Sequence, residues 1–306
     1  MGAIGFDTSN YTTSIAYFHK QDGCNISKLL PVKQGQLGLR QSDAVFAHTK
    51  SLPELSGRLF SHIKGSAIQA VGVSTRPRAV EGSYMPCFMV GYSHAKMLSD
   101  ALTVPLVEVS HQQGHIAACL WSAGRLDLLD QPHLAWHLSG GTTELLYVQP
   151  QNKNVVCTKI GGTTDISAGQ LIDRTGQLLG LPFPAGKTLD ELSTNSSCSS
   201  FYKVKCNGSE FSLSGIQNKV EQFSQNNSRE DTAAFCLHTI AYAVSTATMQ
   251  ALQSYPGLAV VLSGGVASNS LLRKQLAEFA PVFAQPQYST DNAMGVALLA
   301  ERLCGI

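Results

Sequence analysis

The chain has 306 residues, of which 43% are hydrophobic and 14% charged, a composition that excludes intrinsic disorder and is long enough for two lobes of ordinary domain size. Its formal charge of +1, from 22 basic and 21 acidic side chains, excludes a surface that attracts nucleic acid as a whole, so an RNA ligand would need a local patch or a partner's help. Eight cysteines occur without a C-x-x-C pair, which argues against zinc ribbons and thioredoxin-like redox sites, and Cys119 and Cys236 in apolar helical stretches read as buried thiols.

The opening MGAIGFDTSN has no basic stretch followed by an apolar one, and no apolar run reaches the roughly 18 residues of a membrane span, so a cytoplasmic protein is expected. From Ala3 to Phe18 the apolar pieces AIGF and SIAYF flank the turn DTSNYTT, a strand–turn–strand pattern. Asp43 to Ile63 has helical character, with Pro53 expected to kink or break it. AIQAVGVST reads as a buried strand that runs into the loop RPRAVEGSYMP, Val90 to Leu102 as a helix, and VPLVEVS as a strand. Ile116 to Trp121 continues a helix that begins near His111.

LAWHLSGGTTELLYV repeats the strand–turn–strand opening, with SGGTT where DTSNYTT stood, and suggests an internal duplication. Ser193 to Asn207 and Ser224 to Asn227 read as flexible loops, and Thr232 to Leu252 as a long helix. LAVVLS then runs into GGVASN and the helix SLLRKQLAEF, and a last helix from Asn292 to Leu303 follows a Ser-Thr-Asp cluster placed to cap it. This order predicts α/β lobes: a first lobe over 1–131, with the C-terminal helix 292–306 packing back on it, and a second over 132–291.

Two features carry chemistry. The turns SGGTT (Ser139 to Thr143) and SGGVASN (Ser263 to Asn269) each follow an apolar strand, where glycines let backbone N–H groups approach an anion closely. Neither matches the dinucleotide or Walker pattern, and together with Asp7-Thr8-Ser9 they suggest a nucleotide held from two lobes. SHQQGHIAA places His111 and His115 four apart, on one face of a helix, a spacing that suits one metal ion. Neutral imidazole favours zinc, iron and similar ions, and Asp291 in the polar stretch YSTDNA is a candidate third ligand or a helix cap. The Glu that a zinc protease carries after its first His is replaced by Gln112.

In this order and across nearly the whole chain, GFDTSNYTTSIAY, VGYSHAKMLSDALTVPLVEVSHQQGHIAA, LSGGTTELLYV, DISAGQLIDRTGQLLGLPFPAGKTLDELS, FSLSGIQNKV, VVLSGGVASNSLLRK and YSTDNAMGVAL resemble the motifs of the tRNA adenosine threonylcarbamoyltransferases, once described as glycoproteases. The resemblance implies the two-lobed actin/hexokinase-like ATPase fold, an α/β fold with duplicated lobes. It implies His111, His115 and Asp291 as ligands of one divalent metal, Fe2+ or Zn2+, and as the catalytic site. It implies His137, Leu138, Ser139, Gly140 and Gly141 at the nucleotide's phosphates, Asp173, Gly186 and Asp190 at its sugar and base, and Asn269 in the last Gly-rich turn. The bound nucleotide would be ATP, ADP or threonylcarbamoyl-AMP. Implied partners are tRNA and either a homologous TsaB-like subunit with a TsaE-like ATPase or a second copy of the chain, with no membrane.

The departures are local. Thr142 stands where the family has His, the Gly-Val-Val-Pro-Glu segment is replaced by GLRQSDAVFAHTKSLPEL, and the family's Pro-Gly-Leu loop has become RPRAVEGSYMP. They point to a divergent paralogue and keep two alternatives in play: a nucleotide-binding scaffold, and a carbamoyltransferase acting on a small molecule. Arg40, Lys203, Lys205, Lys219, Arg273 and Lys274 are candidate phosphate contacts.

Overall fold

The computed structural model describes residues 1–9, 11–31, 39–289 and 292–306. They form two units, one from residues 1–131, 149–157 and 287–306, the other from 132–148 and 158–286.

The first unit opens with strands β1 (Gly2–Thr8), β2 (Thr12–His19) and β3 (Asp22–Leu29). Helix α1 (Gln41–His62), strand β4 (Ile68–Arg76), helix α2 (Phe88–Leu102), strand β5 (Leu106–Ser110) and helix α3 (His111–Ser122) follow. The strands form one sheet in the order β3-β2-β1-β4-β5. The pairs β1–β2 and β2–β3 are antiparallel, whereas β1–β4 and β4–β5 are parallel. Every residue of β1 is buried, as a central strand covered on both faces requires. β3 is mostly polar and exposed, so no apolar run announces it; it is an edge strand held by its ladder to β2.

Pro53 does not break α1, which is helical from Gln41 to His62. The proline lies on the exposed face, while Leu52, Leu55 and Leu59 are fully buried on the other. Each buried leucine contributes about 1.5–3 kcal/mol, and together they outweigh the roughly 3 kcal/mol cost of a proline inside a helix.

The second unit is built from β6 (His133–Leu138), most of β7 (Thr143–Gln151) and the second half of β8 (Asn154–Thr163), whose ends at 149–157 belong to the first unit, and from α4 (Ala168–Leu178), α5 (Gly186–Ser193), β9 (Cys206–Asn207) and β10 (Glu210–Phe211). α6 (Ser214–Ser224), α7 (Arg229–Ser254), β11 (Ala259–Ser263), α8 (Ser270–Leu276) and β12 (Val282–Phe283) complete it. Its sheet runs β12-β11-β6-β7-β8-β10-β9. The five strands β8-β7-β6-β11-β12 repeat the order β3-β2-β1-β4-β5, with β6–β7 antiparallel and β6–β11 and β11–β12 parallel. The duplication read from two polar turns is therefore a duplication of sheet topology.

Trp136 of β6 is fully buried in this unit's core, and its indole N–H donates to Thr248 Oγ1 of α7 at 2.9 Å. Cys236 of α7 lies in the same core, where burial pushes its thiol up to about 12. The segment expected to be a flexible loop, Ser193 to Asn207, is tied down along its length: Ser196 Oγ donates to Asp231 at 2.5 Å, and Tyr202 N–H donates to Thr239 Oγ1 at 3.0 Å. Its last two residues form β9. Irregular backbone here is held by α7 hydroxyl and carboxylate groups that the local sequence does not reveal.

The last helix, α9 (Met294–Cys304), returns to the first unit. Asn292 Oδ1 accepts from Met294 N–H at 3.1 Å, and the expected Ser-Thr-Asp cap falls partly on Thr290 and Asp291, outside the described residues. α9 packs on β1 and β4 through glycines: a Cβ at Gly5 would lie 2.5 Å from Ala297 N, and one at Gly72 would lie 2.7 Å from Val296 O. It also crosses α3, where a Cβ on Gly295 would come within 1.9 Å of Gly114 O. No helix among the described residues is long and apolar enough to cross a membrane.

Gly295→Ala is expected to destabilise the protein by about 1–3 kcal/mol, because neither backbone at the crossing yields without a shift. Gly57 in α1 meets nothing within 4 Å of an added Cβ, so Gly57→Ala is expected to stabilise by about 0.5–1 kcal/mol. Urea unfolding of the two variants beside the parent checks both signs; equal midpoints would contradict the close crossing.

Candidate functional site

In the first unit the site grows from the junction of β5 and α3. Ser110 ends the strand and caps the helix: its hydroxyl accepts from Gln113 N–H at 3.2 Å, while Gln113 Oε1 accepts from Ser110 N–H at 2.8 Å. Gln113 Nε2 also donates to Val155 O at 2.7 Å, so the residue after Gln112 fixes the helix start. This places His111 at the first helical position and His115 one turn later. Their ring centroids are 4.3 Å apart at 86°, edge to face, with His115 buried and His111 17% exposed. The Phe88 ring flanks His111 at 6.0 Å.

Asp7, at the end of β1, lies against the pair. Its carboxylate is 1% exposed and Oδ2 is 2.6 Å from His111 Nδ1, while Oδ1 has no hydrogen-bond partner among the described residues. The next residue, Thr8, donates to Cys87 O at 2.9 Å and accepts from Gly91 N–H at 3.1 Å, tying β1 to the start of α2. Burial, and then the Asp7 charge, push the Cys87 thiol up to about 11. Thr13 Oγ1 meets Nδ1 of the fully buried His48 at 2.8 Å, and burial lowers the His48 pKa.

Asp291 lies outside the described residues, and among those described no group of three or more His, Cys, Asp or Glu is arranged to hold a metal ion. The two imidazoles fit a metal in donor type and in placement. They are borderline-soft nitrogens on one face of one helical turn, close enough to share an ion, and they need a further donor to complete a site.

In the second unit the SGG turn joins β6 to β7. Ser139 N–H donates to Thr142 O at 2.8 Å and Thr142 N–H returns to Ser139 Oγ at 3.1 Å, which closes the turn on itself. The start of α4 clamps it: Ser167 Oγ donates to Gly140 O at 2.6 Å, and Ala168 N–H donates to Thr143 Oγ1 at 2.8 Å. Gly169 allows this contact, since a Cβ there would lie 2.4 Å from Gly140 Cα. His137 is half-buried opposite Glu144 in the β6–β7 register, and Leu138 is fully buried.

The other Gly-rich turn lies beside the first, because β11 pairs with β6. Gly264 has φ of +94°, and a Cβ on it would come 2.1 Å from Leu138 O. Gly140, Gly141, Gly186 and Gly265 differ: an added Cβ meets nothing within 4 Å, and none has positive φ. Packing does not demand glycine at these four positions, and the space beside each is open.

Asp190 of α5 and Asn269, the cap of α8, are brought together. Asn269 Nδ2 donates to Asp190 Oδ1 at 2.9 Å, and Ser270 N–H donates to Asp190 Oδ2 at 3.0 Å. Asn269 Oδ1 accepts from Leu272 N–H at 3.0 Å. Asp173 of α4 accepts from Ala185 N–H at 2.8 Å, beside Gly186, and burial raises its carboxyl pKa.

Asp7 carries a larger part in the first unit's geometry than its place in a polar turn discloses. The signal that finds it is an acidic residue directly after the apolar run Ala3 to Phe6 of a buried strand. Of the candidate phosphate contacts, Arg273 is already engaged, its guanidinium over the Phe283 ring at 4.4 Å and Nε donating to Ala267 O at 3.0 Å. Lys219 lies 5.7 Å over the Tyr202 ring, and Lys203 and Lys205 are exposed.

A family model described as tRNA N6-adenosine threonylcarbamoyltransferase matches residues 33–298. A protein of that name from Carboxydothermus hydrogenoformans is 31% identical over 313 residues, covering 96% of this chain and 90% of the relative. Another of that name, from Moorella thermoacetica, is 33% identical over 252 residues, covering 77% and 70%. Among solved structures, full-length HypF in its phosphate- and nucleotide-bound form superposes with a TM-score of 0.61 at 14% identity, over 99% of this chain and 46% of HypF, so the chain spans about half of that protein. A glucokinase of the ROK family from Streptomyces griseus, in complex with glucose and AMPPNP, gives a TM-score of 0.55 at 11% identity over 99% and 100%. These structural likenesses show the actin/hexokinase-like ATPase fold, in agreement with the repeated strand order of the two units. The extent of the sequence matches goes further than the fold: the chain belongs to the tRNA N6-adenosine threonylcarbamoyltransferase family.

Proposed function

We propose that the chain transfers a threonylcarbamoyl group from threonylcarbamoyl-AMP to N6 of the adenosine beside the anticodon of tRNA. The observation that carries this reading is the His111–His115 pair, edge to face at 4.3 Å on the first turn of α3, in a chain of this family. His111, His115 and Asp291 would hold one divalent metal, Fe2+ or Zn2+. When bound, such an ion polarises a carbonyl and stabilises oxyanion charge.

The chain's own residues bind and orient the nucleotide. The open face at Gly140 and Gly141 admits a phosphate to backbone N–H groups, with His137, Leu138 and Ser139 setting the turn's position. Asp173 spends one oxygen on Ala185 N–H and keeps the other for a ribose hydroxyl next to the space at Gly186. Asp190 and Asn269 fix the start of α8 beside it, and the Asp190 carboxylate retains accepting capacity. The same groups accommodate ATP or ADP. In the transfer a C–N bond forms at N6, the carbamoyl–phosphate C–O bond breaks, AMP leaves with the electron pair, and N6 gives up one proton. Holding the donor rigidly removes much of the entropic cost of this encounter. Near-neutral net charge fits a cytoplasmic enzyme that shares tRNA contacts with a TsaB-like subunit and a TsaE-like ATPase, or with a second copy.

The test supplies threonylcarbamoyl-AMP and unmodified tRNA to the purified protein, with and without those partners, and counts modified nucleosides by mass spectrometry. Product is expected to require tRNA and to fall by about 100-fold or more in His111→Ala. Donor turnover without tRNA would favour a small-molecule carbamoyltransferase, and nucleotide binding with no transfer under any condition would favour a scaffold; either overturns the proposal. Gly140→Val is expected to weaken AMP binding about 10-fold or more, the loss of one charge-assisted N–H contact, while the melting temperature stays near that of the parent. Titration calorimetry and a melting curve check the two halves of that expectation.

A further inference from the structure

We infer that Asp7 is a positioning residue of the metal centre, fixing the tautomer and orientation of His111 so that Nε2 of that ring is the metal-binding nitrogen. The inference rests on the proposed metal at His111 and His115. Its own evidence is the 2.6 Å contact between Asp7 Oδ2 and His111 Nδ1, made by a carboxylate that is 1% exposed.

A neutral imidazole has one N–H and one lone pair, and a neighbouring acceptor decides which nitrogen holds the proton. A carboxylate at 2.6 Å from Nδ1 draws the proton there, leaving the lone pair on Nε2. Backbone placement makes the contact rigid. Asp7 is the penultimate residue of the central strand β1, Thr8 beside it is bound to Cys87 O and Gly91 N–H, and the start of α3 is held by the Ser110–Gln113 box. Both ends of the Asp7–His111 contact are therefore fixed independently of each other. A carboxylate on the far nitrogen also raises the basicity of the ligating one, and loss of such a partner typically weakens a metal site by about 10–100-fold.

The test uses the full chain, with 15N-labelled histidine, and Asp7→Ala and Asp7→Asn variants. Long-range 1H–15N spectra of the metal-free protein read the His111 tautomer, with His111→Ala assigning its signals, and Co2+ titration against a chelator reads affinity. The parent is expected to show the Nδ1–H tautomer. Asp7→Ala is expected to lose that bias and to bind Co2+ about 10–100-fold more weakly. Asp7→Asn keeps an acceptor oxygen without the charge; it is expected to retain the tautomer and recover part of the affinity. If Asp7→Ala does not fold, Asp7→Asn decides alone, and an affinity equal to the parent's overturns the inference. An affinity loss with the tautomer unchanged in Asp7→Ala also overturns it, since that is the behaviour of a direct ligand. A parent chain that binds no Co2+ removes the metal reading and this inference together, whereas parent binding with indifferent Asp7 variants removes the inference alone.

Discussion

The contact on which the first unit depends is the backbone crossing of α3 and α9. With Gly114 and Gly295 face to face, the two helices approach until a single added carbon would lie 1.9 Å from a carbonyl oxygen. α9 meets β1 and β4 in the same way, through Gly5 and Gly72. Small residues at each crossing trade side-chain burial for close backbone packing, which leaves little room for α3 to slide or rotate. That close packing also holds His111 and His115, which share α3, in fixed register with one another.

The second unit solves a different problem with similar parts. Its two Gly-rich turns are side by side because β6 and β11 are adjacent and parallel, and each turn is braced by something outside itself: α4 on the first, Leu138 on the second. Glycines that packing demands, such as Gly169 and Gly264, hold the turns in place. Glycines that packing does not demand, Gly140 and Gly141, leave the adjacent space open.

Much of this was legible from residue order alone. The apolar strands, the long helix around Ala233 to Ala251 and the repeat of polar turns all follow from patterning that burial enforces, and the recurring strand order extends that repeat. The His111–His115 pairing was legible because helical spacing is local. What was hidden depends on partners far along the chain. β3 is too polar to announce itself, Pro53 is overruled by three leucines on the opposite face, and the segment Ser193 to Asn207 is held by Asp231 and Thr239. The contact of Asp7 with His111 spans 104 positions, and no periodicity reports a contact of that range.

The route of the chain also bears on how the protein is made. Residues 287–306 belong to the first unit but follow the whole of the second. On a ribosome, which delivers residues from the N-terminus onward, the second unit has all of its segments before the first does. The sheet of the first unit must wait with the face that α9 covers open to water, its β1 and β4 glycines unfilled. The unit whose translation begins first is thus completed after the other, and the helix of the histidine pair gains its packing against α9 only once the second unit has been made.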